Sequence, residues 1–148
     1  YAFVDYAHTD DALRPVLNVL QDIRRFSKDN HRIHLVFGCG GDRDKGKRPL
    51  MMDAAMAGAD FVYVTSDNPR TEEPQKIIDD IIANTPKSLI EDKVMIEVDR
   101  KKAIEQALRN ADQGDVVIVA GKGHEDYQII GTEKHHFSDQ EVIEEFSG

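Results

Sequence analysis

The chain has 148 residues, 40% hydrophobic and 32% charged, with 28 Asp and Glu against 19 Lys and Arg for a net charge of −9. That fits one soluble globular domain and excludes general nucleic-acid or anionic-membrane binding, which wants a basic face, while leaving open a local basic pocket for an anionic ligand. A single cysteine, Cys39, can form no internal disulfide and points to a reducing compartment; no apolar stretch approaches the roughly 18 residues of a membrane span.

The chain opens at Tyr1 inside an apolar run and reads as a piece of something longer. Residues 2–6 predict a strand whose end delivers Asp5 and His8 into a loop. Thr9 is placed to cap the next helix, with Asp10 and Asp11 in its first turn, where the helix dipole favours anions. Leu13, Val16, Leu17, Leu20 and Ile23 keep helical spacing, Pro15 is early enough to be tolerated, and residues 27–30 break the helix. Residues 32–37 predict a second strand running into a glycine-rich stretch, GCGGDRDKGKR, at 38–48. Pro49 suits a first helical position; Leu50, Met51, Ala54 and Ala55 give that helix an apolar side, and Gly58 ends it.

Residues 61–65 predict a third strand, and 66–70 a turn fixed by Pro69. Glu73 and Pro74 open a helix running to about residue 84, with Ile77, Ile78, Ile81 and Ile82 inward. Residues 85–93 read as a connector, 94–98 as a fourth strand and 100–111 as a fourth helix. The run DVVIVA at 115–120 predicts a central strand buried on both faces, followed by GKGHE at 121–125. Residues 127–130 and 134–137 predict a small hairpin around Gly131, and Ser138 caps a last helix over 139–146. The alternation indicates an α/β domain with a mostly parallel sheet and helices on both faces. Ligands of such sheets sit beyond the carboxyl ends of the strands, where loops 5–9, 38–48, 66–70 and 121–125 all fall.

Each loop has more than one reading. Gly41 to Lys47 has the spacing of a phosphate loop, but Arg48 stands where Ser or Thr would hold Mg²⁺, and Asp42 and Asp44 would repel phosphate. The alternatives are a tight turn with solvated charges, or a different site in which Arg43 reaches a ligand carboxylate. DNPR at 67–70 is either a surface turn with Arg70 paired to Glu72 or Glu73, or a rigid turn aiming an amide and a guanidinium at one polar ligand. In GKGHE, the glycines suit close backbone approach and Glu125 suits a ligand ammonium; the plainer reading is a hairpin entry with exposed side chains. His124, His135 and His136 keep no recognised zinc spacing, and Cys39 reads as a small loop residue rather than a nucleophile.

Taken together, the loops resemble the carboxyl-terminal domain of the Mur ligase family, a Rossmann-like fold. The matching stretches, in family order, are VDYAHTDDAL at 4–13, VFGCGGDRDKGKRP at 36–49, TSDNPRTEEP at 65–74 and VAGKGHEDYQIIG at 119–131. DNPR marks the diaminopimelate-adding branch. One departure is Asp10, where family members commonly carry proline.

The resemblance implies an ATP-dependent amide ligation in peptidoglycan synthesis, in the bacterial cytoplasm. The D-glutamate carboxylate of a UDP-N-acetylmuramoyl dipeptide becomes an acyl phosphate, which the amine of meso-2,6-diaminopimelate attacks. It implies that Arg43, Asn68, Arg70, Gly121 and Glu125 bind diaminopimelate, and that Asp5 and, less centrally, His8 touch ATP. The family's phosphate loop, Mg²⁺ ligands and carbamylated lysine belong to a central domain, and its UDP group to an amino-terminal one, neither within residues 1–148. The chain alone is therefore expected to bind diaminopimelate weakly and to carry no catalytic or metal-binding residue. Lys47 and Arg48 are left as a solvated helix start or as contacts to another domain.

Overall fold

Side-chain parity along the strands divides the core into two layers. In the strand Ile33–Phe37 (β2), Ile33, Leu35 and Phe37 join one apolar cluster and Val36 joins the other. The same alternation runs through Val116–Ala120 (β5) and Phe61–Val64 (β3), so each needs cover on both faces. With Ala2–Asp5 (β1) and Val94–Ile96 (β4), these form one parallel five-stranded sheet in the order β1-β5-β2-β3-β4. The structure, a computed structural model, describes residues 1–27 and 30–148.

Asp10–Ser27 (α1), Lys47–Gly58 (α2) and Pro74–Ile82 (α3) supply the cover on the first face, through Leu13, Leu17, Met51, Met52, Ala55, Ile77 and Ile81. Arg100–Asn110 (α5) and Asp139–Ser147 (α6) cover the other, through Ala103, Ile104, Ala107 and Val142. The chain steps outward from β1 to β4 and then returns to insert β5 between β1 and β2. That reversal puts a crevice at the carboxyl ends of β2 and β5, the usual ligand position in such sheets. A separate antiparallel hairpin, Tyr127–Ile130 (β6) with Glu133–His136 (β7), follows β5.

The caps are the ones expected. Thr9 Oγ1 accepts from the Ala12 N–H at 3.1 Å, and Ser138 Oγ from the Glu141 N–H at 3.2 Å. Other details differ. The stretch expected as a connector contains a short helix, Lys87–Lys93 (α4), which buries no residue and so has no apolar stripe to announce it. Ile23 and Leu50, though in helical register, are exposed, and Met52 is buried instead. Helix α2 starts two residues before Pro49. Gly58 does end it, but for a packing reason: a Cβ there would lie 2.6 Å from Leu17 Cβ, so this glycine lets α1 and α2 close together. Lys28 and Asp29, part of the expected helix break, lie outside the described residues.

Candidate functional site

The loops beyond the strand ends enclose an open cavity of about 540 Å³. Its lining includes His8, Arg43, Asn68, Arg70, Gly121 and Glu125, drawn from all four loops. Arg43, Lys47 and Arg70 bring positive charge, and Asp44, Asp67 and Glu125 negative charge. A wall of both signs suits a ligand that itself carries both, since each charged end finds a partner on leaving water.

The glycine-rich loop is shaped by what it must pass. A Cβ at Gly38 would collide with the Thr65 carbonyl, and one at Gly41 with the Pro69 carbonyl, so this loop lies directly on the loop after β3. Five of its backbone N–H groups are committed within the fold. Gly41 N–H donates to the Asn68 carbonyl at 2.8 Å, Asp42 N–H to Glu72 at 2.6 Å, and Gly46 N–H to the Asp44 carboxylate at 2.9 Å. The Lys47 and Arg48 N–H groups donate to the Asp44 and Lys45 carbonyls. A phosphate loop presents such groups to its ligand; here these five hold the loop to its own neighbours, which argues against the phosphate-loop reading.

Arg48 also departs from expectation. Rather than a solvated residue at a helix start, it is 2% exposed and runs under the loop. Its Nη2 donates to Glu72 at 2.6 Å and the Gly40 carbonyl at 3.0 Å, and its Nη1 to Asp80 at 2.9 Å. Burial alone would lower its pKa, but these carboxylates outweigh it and the pKa is raised. Glu72 is correspondingly held down to about 2, chiefly by the Arg48 hydrogen bond and then by the Asp42 N–H. This takes away the partner expected for Arg70 on the surface.

Arg70 instead turns back into the site, its Nη1 donating to the Gly41 carbonyl at 3.0 Å. It is one of two non-glycine residues with positive φ among those described, at +52°, the other being Asp42 at +55°. A left-handed conformation costs about 1–2 kcal/mol in an L-residue, so each must be held. The Arg70 N–H donates to the Ile129 carbonyl at 3.1 Å, and the Gly131 N–H to the Arg70 carbonyl at 2.6 Å. Asp42 is held by Thr71, whose hydroxyl donates to its carboxylate at 2.8 Å.

The hairpin therefore braces the DNPR turn. Gln128 Nε2 donates to Ser66 Oγ and the Asp67 carbonyl, and the Ile129 N–H to Asn68 Oδ1 at 2.9 Å. Behind both, Arg100 forms a fully buried two-pronged pair with Asp139 at 2.7 and 2.8 Å and donates to the Ser66 and Ala120 carbonyls. It thus pins the ends of β3 and β5, from which the DNPR and GKGHE loops depart.

Of the residues singled out in the sequence, Arg43, Asn68, Arg70, Gly121, Glu125 and His8 meet at this one cavity. Asp5 does not line it. Its carboxylate accepts from the Ala7 N–H at 2.8 Å and its carbonyl from the Gly121 and Gly123 N–H groups, so it ties the first loop to the last. His8 lines the cavity, with its Nδ1 2.9 Å from the Tyr6 carbonyl. Cys39 lines the cavity with its thiol pushed up to about 12, mainly by burial, and is no nucleophile. Among the described residues no three His, Cys, Asp or Glu side chains converge to hold a metal ion. Sequence reasoning missed Arg48, Glu72, Arg100, Asp139 and Lys122, all acting through partners distant in the chain.

Three comparisons bear on this architecture. Residues 1–123 match the family described as Mur ligase, glutamate ligase domain. The chain is 55% identical over 142 residues to the UDP-N-acetylmuramoyl-L-alanyl-D-glutamate–2,6-diaminopimelate ligase of Synechococcus sp., covering 96% of this chain and 27% of that protein. It is 50% identical over 145 residues to the Aquifex aeolicus enzyme of the same name, covering 98% of this chain and 28% of that one. A solved structure of a ligase with that name superimposes with a TM-score of 0.88 at 43% identity, covering 98% of this chain and 28% of that chain. The chain thus spans little more than a quarter of the length of these relatives.

Proposed function

The chain belongs to the Mur ligase family, in its glutamate ligase domain, and we propose that it is the amino-acid-binding part of an ATP-dependent ligase that adds meso-2,6-diaminopimelate to UDP-N-acetylmuramoyl-L-alanyl-D-glutamate. The observation that carries this reading is the mixed-charge cavity, where Arg43, Asn68, Arg70, Gly121 and Glu125 converge from three loops. Diaminopimelate has an ammonium and a carboxylate at each end. In our reading Arg70 and Asn68 take the distal carboxylate, which lysine does not have. Glu125 and the Gly121 carbonyl take the distal ammonium, and Arg43 orients the carboxylate beside the attacking amine. A ligand without the distal carboxylate leaves the Arg70 cation unpaired on desolvation, a physical basis for rejecting lysine.

The amine held in this way attacks an acyl phosphate formed from the D-glutamate carboxylate and ATP. Its electron pair forms the amide C–N bond, phosphate departs with the C–O bonding pair, and one of the two amine protons passes to solvent while the other stays on the amide nitrogen. ATP with its Mg²⁺ and the UDP-linked dipeptide are held mainly by parts of the ligase outside residues 1–148, with Asp5 and His8 at the ATP-facing edge. Closure of this domain over those parts assembles the site. The relatives' names and the absence of a membrane-spanning helix among the described residues are consistent with a bacterial cytoplasmic setting. The test is amide formation by the intact ligase with diaminopimelate or lysine as acceptor. Preference for diaminopimelate that collapses in Arg70→Ala supports the reading; equal use of both amino acids overturns it. Ligase activity from residues 1–148 alone, or their tight binding of ATP with Mg²⁺, would also overturn it.

A further inference from the structure

Lys122 lies in the GKGHE segment, and its side chain is 0% exposed. It does not line the cavity. An ammonium carries three N–H donors and no acceptor. Two acceptors take hydrogen bonds from it, Asn68 Oδ1 at 2.9 Å and the Tyr127 carbonyl at 3.0 Å, and the Asp67 carboxylate lies 2.9 Å away as an ion pair without hydrogen-bond geometry. Asn68 Oδ1 receives a second donor, the Ile129 N–H, also at 2.9 Å. Both acceptor positions of that oxygen are therefore filled. Turning the amide over would press its NH₂ group against an ammonium and a backbone N–H, donors meeting donors. The amide is locked with Oδ1 toward Lys122, which leaves the two N–H groups of Nδ2 as what Asn68 can offer to the cavity it lines.

The same ammonium settles the local charge. Asp67 is itself part of the cavity wall, next in sequence to Asn68. Unpaired, its carboxylate would repel any carboxylate brought to Asn68 and Arg70. Lys122 neutralises it from behind.

We infer that Lys122 is a specificity-determining positioning residue: by holding Asn68 Oδ1 and the Asp67 carboxylate, it makes this corner of the cavity a subsite for a carboxylate rather than an ammonium. It acts through Asn68 and Asp67 and does not touch the ligand. The inference rests on the reading that the cavity takes diaminopimelate, and adds to it why the asparagine presents a donor.

The test is made in the intact ligase with Lys122→Met, close in shape but uncharged, alongside wild type. The expected result is a KM for diaminopimelate raised at least tenfold, a KM for ATP within twofold of wild type, and a narrowed preference for diaminopimelate over lysine. A folded Lys122→Met enzyme with an unchanged diaminopimelate KM, or with both KM values raised equally, overturns the inference. If the variant does not fold, a second measurement on wild type decides. With ¹⁵N-labelled asparagine, the Asn68 side-chain NH₂ resonance should move on adding diaminopimelate and stay in place on adding lysine at equal occupancy. Indifference to bound diaminopimelate overturns the inference. A wild-type ligase that does not use diaminopimelate overturns the substrate reading itself, and is recognised before any variant is compared.

Discussion

Arg48 Nη2 lies 2.6 Å from Glu72 Oε2, and that same carboxylate oxygen accepts from the Asp42 N–H at 2.6 Å. One oxygen thus joins the start of α2, the glycine-rich loop and the loop after β3. It adds to the Gly41–Asn68, Arg70–Gly41 and Thr71–Asp42 bonds that hold these two walls of the cavity together.

Arg48→Met should therefore destabilise the fold. Breaking a fully buried ion pair costs about 3–5 kcal/mol. Glu72 and Asp80 keep 19% and 47% of their side chains exposed, so a cost of about 2–3 kcal/mol is expected, about 4–12 °C in melting temperature for a domain of this size. Thermal unfolding followed by circular dichroism reads this directly, and an unchanged midpoint would show the pair to be incidental.

Acid should act through the same carboxylate and one other. Asp115 is held at about 2: burial pushes it up, but the Arg32 and Asp112 N–H groups and the His34 ring outweigh that. Glu72 is also at about 2, and both lie below their unfolded values of about 4. Their contribution is fully present above the unfolded values and is lost as pH falls toward 2. Urea unfolding free energies should hold from pH 7 to about 5 and then fall. A Glu72→Gln, Asp115→Asn double variant should start lower and fall less steeply. An unchanged slope in that variant would place the acid lability elsewhere.

These anchors mark the boundary of what the sequence reveals. Strand and helix order follow from local periodicity, which is why DVVIVA at 115–120 could be read as an interior strand. The loops were legible as ligand positions because they sit at strand ends, where α/β sheets bind ligands, but Asn68, Arg70 and Glu125 were singled out within them by the family resemblance, since each loop alone kept a plainer reading. Arg48 with Glu72, and Arg100 with Asp139, were not, because nothing local distinguishes a charge that is paired across 24 or 39 residues from one that faces water. The sheet's geometric centre is likewise β2 rather than β5, which only the long crossover decides.

Cys39 should be nearly inert. Its thiol is raised from 9.0 to about 12, so at pH 8 the reactive thiolate is about a thousandfold rarer than in an unfolded chain. Labelling with a thiol-specific disulfide reagent should be slow in buffer and immediate in denaturant. Equal rates would mean that the glycine-rich loop opens freely.

Gly41 and Gly114 should respond differently to alanine. At Gly41 a Cβ meets the Pro69 carbonyl, whereas at Gly114, with φ of +91°, it meets nothing within 4 Å. Gly114→Ala should carry only the backbone penalty, about 1–2 kcal/mol. Gly41 carries no positive φ, so Gly41→Ala acts instead by parting the two cavity loops, at or above the upper end of the about 1–3 kcal/mol that overpacking costs. It should weaken diaminopimelate use as well as stability, because Arg70 Nη1 reaches the Gly41 carbonyl. Equal losses from both substitutions would contradict this close approach.

Arg70→Lys gives the sharpest test of the proposed ligand contact. Lysine keeps the charge but loses the planar fork that pairs with a carboxylate through two parallel bonds. It also keeps the left-handed backbone constraint that Arg70 carries at φ +52°, so loss of fold should not be the cause of any defect. The expected result in the intact ligase is a diaminopimelate KM raised about tenfold to a hundredfold, corresponding to about 1.4–2.8 kcal/mol. The KM for ATP and the melting temperature should stay near wild type, because the Arg70 side chain bonds only to the Gly41 and Asn68 carbonyls among the described residues. If the KM values for ATP and diaminopimelate rise together, Arg70 supports the closed site as a whole, and the carboxylate contact assigned to it is wrong.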